Sequence, residues 1–216
     1  MRKLISYFFP IKIKVYPSKI SGNLEINMVN GRKILDTQNS NYSFGSLQAI
    51  LKTGLKKIGF DSTFTRVLVL GMGGGSILHT IRTDFSSLAF VELVELDAEI
   101  ISIAESEFNI NRFSNIKIVH ADALEYIQTC TGTFDLIIVD VFVLDTVPIG
   151  FTQPGFIEKM CHCLTSKGKI IFNTMRNTMP EDVRESIRSV LSAQNLFVKV
   201  LEGVGGTNDL ILAEKR

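Results

Sequence analysis

The stretch RVLVLGMGGGSILHTI, Arg66 to Ile81, constrains the fold of this chain more than any other. Apolar residues from Val67 to Leu70 run straight into Gly71, Gly73, Gly74 and Gly75, and the pattern then turns helical. A strand that ends in such a turn can bring its backbone close to a neighbour, because glycine reaches positive φ without a Cβ penalty. The amides that open the following helix are donors waiting for a partner. A merely flexible turn needs one or two glycines rather than four. Gly-rich strand-to-helix turns occur in several kinds of site, so the loop alone does not name a ligand.

From Arg66 onward the chain alternates between two patterns. Strands are expected at RVLVLG, LAFVELVEL, NIKIVHA, FDLIIVDV and GKIIFNTM, with helices between them at SILHTIRTD, AEIISIAESEF, DALEYIQTC and PGFIEKMCHCL. LIIVDV is almost wholly apolar, as a strand covered by helices on both faces should be. Alternation of this kind predicts a Rossmann-like, doubly wound α/β domain with right-handed crossovers. After the helix EDVRESIRSVLSA, the tail LFVKVLEGVGGTNDLILAEK reads as an antiparallel edge hairpin. Before residue 44 the chain reads as extended. NLEINMVNGRKILD alternates around Asn30-Gly31, a hairpin signal, and SNYSFGSLQAILKTGLKKIGF follows as a helix. The expected division is a hairpin segment over 1–43 and an α/β domain over 44–216.

Composition excludes several classes. The 216 residues suffice for one sizeable core, and 45% hydrophobic with 21% charged residues is ordinary for a globular chain. A formal net charge of +1 gives no nucleic-acid or membrane footprint. MRKLISYFFP imitates a signal peptide, but Pro10 and the charges of IKIKVYP cut its apolar run short, and no apolar stretch approaches membrane-spanning length. Cytoplasmic residence is the expectation. Three cysteines without paired spacing argue against a disulfide framework. Cys161 and Cys163 flank His162 in a stretch, FIEKMCHCLTSKGK, that reads as helical up to Gly168. Neighbours on a helix face different ways, so no metal site is expected there.

Successive strand ends carry polar groups that could meet one ligand. Glu95 lies about twenty residues beyond the glycine loop, where an acid commonly accepts hydrogen bonds from two ribose hydroxyls. Glu92 falls mid-strand, and Asp97 suits the cap of the next helix. Asp122 either caps the helix after the third strand or accepts from the amino group of an adenine. Asp140 emerges from the apolar fourth strand, a costly place for a carboxylate without a role or a partner. Ligands of open α/β sheets bind outside these carboxyl edges. Phe142, Phe151 and Phe156 could wall an acceptor pocket or simply pack.

With these residues the chain resembles the spermidine synthase family, within the wider class of S-adenosylmethionine-dependent methyltransferases. VLVLGMGGGS resembles the family's glycine-rich loop, VELDAEIISIAESEF its ribose-binding strand end, and HADALEYI its adenine-site segment. FDLIIVDVF followed by FTQPGFIEKMCHCLTSKG resembles its catalytic-loop strand and the helix beyond. The resemblance implies that Gly71, Met72, Gly73 and Gly75 line the methionine part of the cofactor. It places Glu95, with Leu96 beside it, at the ribose, and Asp122 and Ala123 at the adenine. Asp140, assisted by Asp145, would stand at the reacting centre. The implied chemistry is displacement at a carbon attached to a sulfonium, which rests on positioning and on a carboxylate that holds or deprotonates the attacking amine.

The departures from the family pattern concern the amine side. Gly74 stands where aminopropyltransferases carry an acid in GGGDGG. Asp140 and Asp145 are separated by VFVL, unlike the two acids of D-S-S-D-P, and NYSFGSLQ stands near the place of Y-H-E with no histidine. A methyl donor, S-adenosylmethionine, with a small acceptor such as an amine other than putrescine is therefore the first expectation. Aminopropyl transfer from decarboxylated S-adenosylmethionine is the second, and a non-catalytic adenosyl-binding module the third. A nicotinamide oxidoreductase ranks last, because it leaves Asp122, Asp140 and the terminal hairpin unexplained. An N-terminal hairpin and an exposed sheet edge commonly pair in related dimers, so a homodimer is one assembly to test.

Overall fold

The computed structural model describes residues 2–37, 41–143 and 146–215. A short helix α1 (Arg2–Ile5) precedes β1 (Ile11–Ser18), β2 (Gly22–Val29), β3 (Arg32–Thr37) and β4 (Asn41–Ser43), which pair in that order as an antiparallel meander. The Asn30-Gly31 hairpin is its central pair. Both residues have positive φ, 49° and 74°, as a tight turn matched to the strand twist requires.

The remaining elements are α2 (Gly45–Lys57), β5 (Arg66–Leu70), α3 (Ser76–Thr83), β6 (Phe90–Glu95), α4 (Ala98–Ser106), β7 (Ile116–His120) and α5 (Ala123–Thr129). After these come β8 (Phe134–Val139), α6 (Pro154–His162), β9 (Leu164–Met175), α7 (Glu181–Ala193), β10 (Leu196–Val204) and β11 (Asn208–Lys215). The second sheet has the order β10-β11-β9-β8-β5-β6-β7, parallel from β9 to β7 and antiparallel at β11 and β10. This is the expected Rossmann-like architecture with its C-terminal edge hairpin. Strand order reverses between β5 and β8, and in open α/β sheets the carboxyl ends at such a reversal are where the ligand crevice lies.

The strand period of two builds the core. Ile137 and Val139 of β8 face one apolar layer, with Phe172, Ile157, Met160 and Ile187. Leu136 and Ile138 face the other, with Leu51, Leu55, Leu78 and Ile81. A third cluster joins Leu24, Ile26 and Leu35 of the meander to Ile100 and Ile103 of α4, so the small sheet is packed onto the α/β layer. Asp97 reinforces that seam. It caps α4 by accepting from Glu99 N at 2.9 Å, and its other oxygen accepts from the Ser18 and Ser21 hydroxyls.

Three local readings are corrected. The extended N-terminal chain begins with α1. The helix expected over residues 40–60 starts only at Gly45, because Asn41–Ser43 pair with β3 and Phe44, at φ 70°, breaks the run. The helical reading through Gly168 fails after His162: Phe134 N donates to Cys163 O, and Leu164 is already in register with Phe134 on β8. A tertiary strand partner overrides a local pattern there. Cys161 and Cys163 are both buried.

Candidate functional site

The loop after β5 and the turn after β8 meet at the crevice. Gly71, at φ 86°, donates its N–H to Val94 O, and Asp140 N donates to Leu70 O. A Cβ on Gly71 would lie 2.2 Å from the Asp140 carbonyl oxygen. One on Gly75, at φ 83°, would lie 2.7 Å from Ile110, and one on Gly74 would lie 3.2 Å from Phe108 and Ser43. What comes close at these three glycines is therefore the protein itself. The Met72 side chain is buried in the apolar layer, which leaves only its backbone to the crevice. NYSFG, despite lacking a histidine, does arrive at the loop: Ser43 fills the space beside Gly74 that a Cβ would enter, and Phe44 stacks on Phe108 at 4.5 Å.

Glu95 ends β6 facing this loop and is 6% exposed. Its Oε2 accepts from Gly73 N and its Oε1 from Asp97 N, both at 3.1 Å. Burial raises its pKa against the pull of these backbone donors. A carboxylate has about four lone-pair sites, so two remain for hydroxyls. Two amides thus hold a buried acceptor in one orientation at the crevice, which fits an adenosyl ribose. Leu96 beside it is exposed.

Asp122 accepts from Leu124 N at 2.7 Å and caps α5, the more modest of its two expected roles, and buried Ala123 opens that helix. Glu92 pairs with Lys117 of β7 at 2.6 Å, which suits a mid-strand acid. Phe151 and Phe156 meet edge-to-face at 5.1 Å inside the core, so they pack rather than line a cavity. Asp145 lies outside the described residues.

Asp140 follows the last residue of β8; the residue as a whole is partly exposed, while its carboxyl is enclosed by protein. Its surroundings push its pKa up to about 6, first by burial and then by the nearby Glu95 charge, against a hydrogen bond from Asn173. Asn173 Nδ2 donates to Asp140 Oδ1 at 2.8 Å. Sequence reasoning missed Asn173, because a polar residue within IIFNTM carries no periodic signal of its own. Glu95, Asp140, the glycine loop and Asn173 share one edge of the sheet, and Asp122 lies at the neighbouring strand end.

Comparison with known proteins agrees with this architecture. The spermine/spermidine synthase domain model matches residues 56–201, and the chain belongs to that family. A curated eEF1A lysine and N-terminal methyltransferase from Danio rerio is 27% identical over 171 residues, 71% of this chain and 24% of that protein. A polyamine aminopropyltransferase from Vibrio vulnificus is 27% identical over 118 residues, 53% of this chain and 39% of that protein. The chain thus spans about a quarter and two-fifths of the lengths of these relatives. The crystal structure of a probable spermidine synthase from Corynebacterium glutamicum superposes with a TM-score of 0.67 at 20% identity, covering 95% of this chain and 77% of that one. Among the described residues, no helix is long and apolar enough to cross a membrane.

Proposed function

We propose that this chain is an S-adenosylmethionine-dependent transferase that moves a methyl group to an acceptor held beside Asp140. The observation that carries the reading is Glu95, a buried strand-end carboxylate whose two oxygens are oriented by the N–H groups of Gly73 and Asp97. Its remaining lone pairs suit a ribose diol. The loop backbone at Gly71, Met72, Gly73 and Gly75 would follow the methionine part, and Ala123 with the cap residue Asp122 would border the adenine. The bound donor supplies a sulfonium whose attached carbon is open to in-line displacement. Within the protein, Asp140 orients the attacking group and accepts its proton. A carboxyl with a pKa of about 6 suits that task near neutral pH.

Methyl transfer is favoured over aminopropyl transfer by the partner of Asp140. A cationic diamine needs a second carboxylate, whereas among the described residues the side chain hydrogen-bonded to Asp140 is the neutral Asn173. The next acid on the adjoining strand, Asp209, is committed to Gly203 N at 2.7 Å and to Arg184 at 3.4 Å. Aminopropyl transfer from decarboxylated S-adenosylmethionine is the second reading, supported by the family match over residues 56–201. The acceptor class follows the same split, a protein amine or small molecule in the first case and a polyamine in the second. Three unpaired cysteines suit the reducing cytoplasm. Exposed Leu4, Phe8 and Phe9 on the N-terminal segment suit a homodimer, which light scattering measures.

Incubation with each sulfonium donor, with putrescine or a peptide amine as acceptor, tests the reading. S-adenosylhomocysteine as the product supports methyl transfer. Methylthioadenosine with spermidine would overturn it in favour of the second reading.

A further inference from the structure

The polar chain behind Asp140 continues into the C-terminal edge of the sheet. Asn173 on β9 and Asn208 on β11 are 0% and 3% exposed. Asn208 Nδ2 donates to Asn173 Oδ1 at 2.9 Å, and Thr207 Oγ1 donates to Asn208 Oδ1 at 2.7 Å. Val139, the last residue of β8, is in register with Phe172, so the next residue on each strand, Asp140 and Asn173, are neighbours. Two buried amides are costly where apolar residues would pack, because an amide left without partners there has given up its hydrogen bonds to water with nothing in return. We propose that Asn173 and Asn208 are positioning residues that hold the Asp140 carboxylate toward the crevice as a hydrogen-bond acceptor, with Thr207 anchoring the far end. This inference rests on the reading of Asp140 given above.

Hydrogen-bond polarity runs one way along the chain. An ionised carboxylate only accepts, so Asn173 must face it with its NH₂. The Asn173 oxygen then points at Asn208, whose NH₂ must meet it, and the Asn208 oxygen is left for the Thr207 hydroxyl. Reversal demands a proton on Asp140 and a turn of both buried amides. Glu95, from β6, is the charge that opposes ionisation of Asp140, while Asn173 from β9 favours it. The C-terminal hairpin thereby supports the reacting end of the site without touching it.

The test is an NMR titration of the Asp140 carboxyl carbon in the full chain, in wild type, Asn173→Leu, Asn208→Asp and Thr207→Val. Asn208→Asp puts an acceptor where the Asn173 oxygen needs a donor, so the Asn173 amide turns its NH₂ away from Asp140 and the Asp140 midpoint rises by about one pH unit or more. Asn173→Leu removes the donor and shifts the midpoint the same way. Thr207→Val, at the solvent end, gives a smaller rise and decides the matter if the buried variants do not fold. S-adenosylhomocysteine affinity stays within about twofold in all three, because none of these residues holds the donor. An Asp140 midpoint unchanged in every folded variant overturns the inference and leaves the cofactor reading intact. Failure of the wild type to bind S-adenosylhomocysteine would overturn the cofactor reading and leave the titration result standing.

Discussion

Asp140 and Glu95 are two desolvated carboxylates at one sheet edge, and the Glu95 charge makes Asp140 harder to ionise. For Asp140 the sign of the consequence follows from its folded pKa of about 6 against an ordinary 3.8. The folded state holds the proton longer than the unfolded chain does, so stability falls as pH rises from the lower value to the higher and is flat above it. The charge then costs up to about 3 kcal/mol at neutral pH. Asp140→Asn keeps the shape and loses the charge. Denaturant unfolding should find the variant level with wild type near pH 4 and more stable, by about 1–3 kcal/mol, near pH 8. Transfer activity should be lost in the same variant. A variant that is destabilised at pH 8 would show that the Asp140 charge gains more from its hydrogen bonds than it loses by leaving water.

Elements place these residues through close backbone approach. Gly71 sits where β5 turns against the end of β8, and any Cβ there meets the Asp140 carbonyl at 2.2 Å with φ at 86°. Gly71→Ala should therefore destabilise by roughly 3 kcal/mol or more and displace Asp140, measured by unfolding and by the Asp140 titration. The seam between the meander and α4 is tested at Asp97. Asp97→Ala removes a helix cap and the acceptor for Ser18 and Ser21, and should cost about 1–2 kcal/mol with faster hydrogen exchange in β1. Equal exchange in β1 would show that Leu24, Ile26, Ile100 and Ile103 hold the seam alone.

At the scale of the whole molecule, the sequence disclosed most where pattern and burial agree. The β8 run is apolar because helices cover both of its faces, and Glu95 stands out because it ends the strand after a glycine turn. The Asp97 cap was legible for the same local reason. Tertiary pairing was not. Asn41–Ser43 and Leu164–Gly168 read as helix until β3 and β8 supply their partners. The glycines signalled close approach, but sequence could not say that Asp140, Phe108 and Ile110 would be the approaching groups. Asn173 and Asn208, 35 residues apart, become a pair only once β9 and β11 lie side by side. The topology that joins them also sets Glu95 and Asp140 around a single crevice, and that convergence is the central claim.

Isothermal titration of S-adenosylhomocysteine into wild type and Glu95→Gln tests it most directly. Wild type should bind, and the variant should lose at least about tenfold in affinity, because hydrogen bonds to a charged acceptor are worth about 1.5–3 kcal/mol each. Equal affinity in the two proteins, or none in either, would contradict the assignment of this crevice to an adenosyl donor.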